Sequence, residues 1–83
     1  MNRVLKFGAP WCNACNDLDQ TLEKIEGEIK VPLENINIDV NPQYGMEFGI
    51  KNIPTMVMLD GNTEVKRFVG IKTENELKEW LNA

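Results

Sequence analysis

The 83-residue chain contains no histidine, which removes Ser–His and Cys–His nucleophile systems and the commonest ligand of catalytic zinc. It has only two cysteines, too few for the multi-disulfide framework of small secreted domains. Any cysteine chemistry therefore rests on Cys12 and Cys15. Positive charge is also scarce: 9 Lys and Arg stand against 13 Asp and Glu, and the basic residues are scattered. Without a basic stripe, direct nucleic-acid binding is not expected. No apolar run could span a bilayer, and Met1 to Phe7 is too short and too charged for a secretory leader, so a cytoplasmic protein is expected. No repeat, linker or low-complexity segment divides the chain, and residues 1–83 are expected to form one domain.

What is present suits an ordinary folded chain. Hydrophobic residues make up 42% of it, and a domain of this size buries roughly 60–65% of its unfolded surface, enough for a modest core. Arg3 to Phe7 reads as a strand, cut off by Gly8-Ala9-Pro10. From Cys12 the period becomes helical, with Cys15, Leu18, Leu22 and Ile25 on one face, Asp17 and Asp19 placed early for the dipole, and Gly27 as the end. Leu33 to Val40 alternates, with Ile36, Ile38 and Val40 on one face, which predicts a second strand. Asn41-Pro42 starts a short helix as cap and first residue, and Gly49 closes it. Thr55 to Leu59 is a continuous apolar run, expected as a central buried strand, and Val65 to Val69 returns from the turn at residues 60–63. Thr73-Glu74-Asn75-Glu76 is a capping box ahead of Leu77, Trp80 and Leu81. The order is β-α-β-α-β-β-α: an α/β fold whose first two strands are parallel and whose hairpin is antiparallel.

The chemistry concentrates at Trp11-Cys12-Asn13-Ala14-Cys15, between the first strand and the first helix. Unpaired amide groups and the positive dipole end at a helix mouth stabilise a thiolate and lower the pKa of the first thiol. Two intervening residues let the sulfurs meet across one turn. In this reading Cys12 attacks a target disulfide and Cys15, deeper in the helix, resolves the mixed intermediate. Such a pair can also be half of a zinc site, but no second pair and no histidine complete four ligands. No metal and no cofactor beyond a redox-active Cys12–Cys15 disulfide are expected.

Four ordered segments make the chain resemble the thioredoxin family along nearly its whole length. They are Ala9-Pro10-Trp11-Cys12-Asn13-Ala14-Cys15, Asn37-Ile38-Asp39-Val40-Asn41-Pro42, Phe48-Gly49-Ile50-Lys51-Asn52-Ile53-Pro54-Thr55, and Val69-Gly70. The resemblance implies a compact thioredoxin-like fold, with a four-stranded mixed sheet flanked by helices. It also implies a cis Ile53–Pro54 bond beside the disulfide, and an apolar substrate-contact patch from Trp11, Ala14, Ile53, Pro54, Val69 and Gly70, with Asn13 as a further substrate-binding residue. Three departures qualify it. The family's leading strand and helix are absent, as in glutaredoxins and some short archaeal and phage-type proteins. The dipeptide between the cysteines is Asn13-Ala14 where thioredoxins have Gly-Pro. Lys6 stands where thioredoxins carry a buried Asp, and the family's partner lysine aligns with Asn35. A cation there would favour thiolates, and Lys6 is expected to modulate the Cys12 pKa unless it reaches past the sheet to solvent.

The function expected is reduction of protein disulfides by a monomer recharged by a thioredoxin-reductase-like donor, away from membranes. Two alternatives stay open. One is a glutathione-coupled, glutaredoxin-like reductase, against which Gly70-Ile71-Lys72-Thr73 replaces that family's Gly-x-Asp-Asp-like segment. The other is a thioredoxin-fold binding subunit with no enzymatic role.

Overall fold

A computed structural model describes residues 1–82. Four strands, β1 (Asn2–Gly8), β2 (Leu33–Asn37), β3 (Thr55–Asp60) and β4 (Thr63–Val69), form one mixed sheet in the order β2-β1-β3-β4. β1 pairs in parallel with β2 and antiparallel with β3, and β3 pairs antiparallel with β4. The helices are α1 (Asn13–Lys24), α2 (Pro42–Glu47) and α3 (Glu74–Asn82). The central strands β1 and β3 are the apolar ones, as burial on both faces requires.

Alternation along β1 divides the core in two. Val4 faces one side, with Met56 and Met58, and meets Leu18, Leu22 and Ile25 of α1 and Leu77 and Leu81 of α3. Leu5 and Phe7 face the other, with Ile36, Val57 and Leu59, under Phe48, Ile50 and Ile53. Period two puts Lys6 on the Val4 side, beneath α1 and away from Leu5 and Phe7.

Three boundaries differ from expectation, each for a local reason. β2 ends at Asn37, because the Asn37 side-chain oxygen accepts the Asp39 N–H at 2.8 Å and turns the chain; Val40 is exposed instead of core-facing. Asn41 precedes α2 but makes no side-chain cap bond; its backbone N–H is taken by the Asn37 carbonyl at 2.9 Å. α1 stops at Lys24, and Gly27 lies in a 3-10 turn over Glu26–Glu28. The hairpin forms where expected but with a tighter turn: Gly61, at φ +63°, opens a two-residue connection, and Asp60 and Thr63, read as turn residues, already pair across the strands.

Candidate active site

Cys12 is the N-cap of α1, in extended backbone conformation, and its sulfur receives the Cys15 N–H at 3.2 Å. The two cysteines are joined as a disulfide with their Cα atoms 5.2 Å apart. Cys12 is 8% exposed and Cys15 2%, so both are buried and Cys12 is the more accessible residue. A helix mouth directs amide dipoles at the outer sulfur, and an N–H donated to it favours the charged form.

The floor comes from the far half of the chain. The Ile53–Pro54 bond is cis, and the Ile53 carbonyl oxygen lies 3.9 Å from Cys12 Sγ. The Pro54 carbonyl accepts the Gly70 N–H at 2.9 Å, which fixes the Val69–Gly70 corner beside it. Gly70 sits at φ +98°, a conformation that a side chain would strain. Ala9, Cys12 and Cys15 cluster with Ala14, Ile38 and Ile53. Trp11 and Asn13, on either side of Cys12 in the chain, are exposed, as is Val69; of the far-half residues named from the sequence, Ile53 is the one whose carbonyl approaches the Cys12 sulfur.

Lys6 does not reach past the sheet. It is 4% exposed, and its Nζ lies 2.6 Å from Asp19 Oδ1 and donates to Asn35 Oδ1 at 3.2 Å. It borders a cleft with Cys15, whereas Cys12 does not line that cleft. Sequence reasoning missed two acids. Asp19, taken for a dipole partner, is one turn beyond Cys15 on the edge of the buried face of α1, over Lys6. Asp39, on the turn after β2, accepts the Trp11 indole N–H at 2.8 Å. The spacing of four from Cys15 was a readable signal for the first; nothing local marks the second. Among the described residues no cluster of three or more Asp, Glu, Cys or His side chains could hold a metal, and no helix is long and apolar enough to cross a membrane.

A family model described as thioredoxin matches residues 1–83. The thioredoxin of Rickettsia bellii is 33% identical over 81 residues, covering 95% of this chain and 77% of that protein. The thioredoxin of Chlamydia caviae is 34% identical over 80 residues, with 95% and 78% covered. The X-ray structure of Fasciola hepatica thioredoxin superposes with a TM-score of 0.85 at 28% identity, over 96% of this chain and 77% of that one. Sequence and three-dimensional likeness thus run the length of the chain and take in its one pair of cysteines: the chain belongs to the thioredoxin family of protein-disulfide oxidoreductases.

Proposed function

We propose that this chain reduces disulfides in protein substrates, with Cys12 as the attacking thiol and Cys15 as the resolving one. The observation that carries this is the unequal setting of the two sulfurs: Cys12 caps α1 and receives an amide N–H, while Cys15 lies a turn deeper. The Cys12 thiolate attacks one substrate sulfur and displaces the other as a thiolate. Cys15 then attacks Cys12 Sγ, closing the internal disulfide and releasing the second substrate sulfur.

An extended substrate segment lies across Trp11, Asn13, Ala14, Ile53, Pro54, Val69 and Gly70, with the Ile53 carbonyl as a backbone acceptor. A thioredoxin-reductase-like enzyme returns the dithiol, since Gly70-Ile71-Lys72-Thr73 offers no acidic pair for glutathione. The working form is a cytoplasmic monomer that leaves this patch open.

Insulin-disulfide reduction driven by dithiothreitol tests the reading. Wild type is expected to accelerate it, Cys12→Ser to be inactive, and Cys15→Ser to accumulate a mixed disulfide with the substrate. No acceleration by wild type would overturn the assignment, and partner binding that survives loss of both thiols would favour a binding subunit.

A further inference from the structure

We propose that Lys6 stabilises the thiolate of Cys15 during the resolving step, across a cleft behind that sulfur, and that Asp19 moderates the effect. This rests on the dithiol reading above. An ammonium in a sheet interior is costly unless paired, so its position calls for a reason. Asp19 and Asn35 take two of its three N–H groups, and among the described residues no other acceptor meets the third.

Gly8 makes the approach open. A methyl group there would lie 3.1 Å from Cys15 Sγ and 3.7 Å from Lys6 Nζ, so sulfur and ammonium border one gap with no side chain between them. The gap belongs to a cleft of about 210 Å³ lined by Lys6, Gly8, Cys15, Asp19, Asn35 and Asn37 among others. A space of that size holds several waters, each of about 30 Å³, and gives the buried thiol a proton route that avoids the substrate face.

The charged groups facing the cleft are Lys6 from β1 and Asp19 from α1; β2 contributes the neutral Asn35 and Asn37. Away from the cleft, Cys15 belongs to an apolar cluster with Ala9 and Cys12, against which Ala14, Ile38 and Ile53 pack. The local field is therefore decided by one cation and one anion. The Asp19 side chain is 47% exposed while that of Lys6 is 5% exposed. Water screens the carboxylate more than the ammonium, which leaves a net positive influence on the sulfur.

The step balances without a further reagent. The Cys15 thiol gives its proton to water in the cleft, and its thiolate attacks Cys12 Sγ. The Cys12–Cys15 bond forms, the bond from Cys12 to the substrate sulfur breaks, and that sulfur leaves with the electron pair and takes a proton from solvent. The substrate disulfide is the oxidant.

The test uses 5,5′-dithiobis(2-nitrobenzoate) on the reduced protein. The first thionitrobenzoate release reports attack by Cys12, and the second reports resolution by Cys15. Lys6→Met is expected to slow the second release about tenfold at neutral pH and move its pH profile upward by about one unit, the equivalent of one opposite charge lost. Asp19→Asn should move the profile downward, Lys6→Arg should retain wild-type behaviour, and the first release should be unchanged in all three. An unmoved second release in Lys6→Met, or a shift of the same sign in Asp19→Asn, overturns the proposal. Should Lys6→Met fail to fold, by circular dichroism, Asp19→Asn at its half-exposed helix position decides alone: a second release no faster than wild type overturns it. A wild type with no second release would instead overturn the dithiol reading.

Discussion

Trp11 is 67% exposed, yet its ring is held: the indole N–H donates to Asp39 Oδ2 at 2.8 Å. A broad apolar surface next to the nucleophile is useful only if it keeps one orientation, and a charge-assisted bond to the following loop supplies that. Asp39→Ala is expected to raise KM for insulin about two- to tenfold, the span of one exposed hydrogen bond's net contribution. Alkylation of Cys12 by iodoacetamide should be unaffected, and a slower alkylation would show that Asp39 acts on the sulfur instead. The cysteine pair itself was legible, because spacing and a strand-to-helix boundary are local features. The acids near it were not: Trp11 and Asp39 are 28 positions apart, and Lys6 and Asp19 meet only because β1 and α1 fold together.

Among the elements, the most local signatures were read best. In α3 the Glu76 N–H donates to Thr73 Oγ1 at 3.2 Å, while the Thr73 N–H donates to Glu76 Oε1 at 3.0 Å, the reciprocal pair that Thr73-Glu74-Asn75-Glu76 promises. β2 was read three residues too long because alternation cannot see Asn37 turning onto the Asp39 N–H. The cap also carries a pH dependence. The Thr73 backbone N–H first, then its hydroxyl, hold the Glu76 carboxyl below its ordinary range. A carboxyl depressed in the folded state contributes stability above its unfolded pKa and loses it as pH falls through the folded value. Thr73→Ala removes the hydroxyl that accepts the Glu76 N–H and should lower stability by about 1 kcal/mol, while the Thr73 backbone N–H stays and stability still falls in acid in wild type and variant alike. Urea unfolding of both across pH checks this, and a variant whose stability no longer falls in acid would assign the pH dependence to the hydroxyl.

For the whole molecule, the two faces of the sheet are unequally covered. α1 and α3 lie on the Val4 face, whereas the Leu5–Phe7 face has the six-residue α2 and the loop through Ile50 and Ile53. Leu77, fully buried, joins α3 to Val4, Met56 and Leu18. Leu77→Ala is expected to cost about 2–5 kcal/mol, a large share of the roughly 5–15 kcal/mol typical of a domain. A drop in urea midpoint at constant slope would show it, and a loss under 1 kcal/mol would mean that the site collapses around the missing atoms.

The sheet order β2-β1-β3-β4 also has a meaning for the chain as it is made. β1, α1 and β2 occupy the first 37 residues and carry both sulfurs. The carbonyl facing Cys12 lies 41 positions further on, and the Val69–Gly70 corner later still. The two cysteines and the carbonyl that faces them are therefore brought together only when β3 slots between β1 and β4, so the setting of Cys12 belongs to the finished sheet and not to the strand–helix unit that carries the sulfurs.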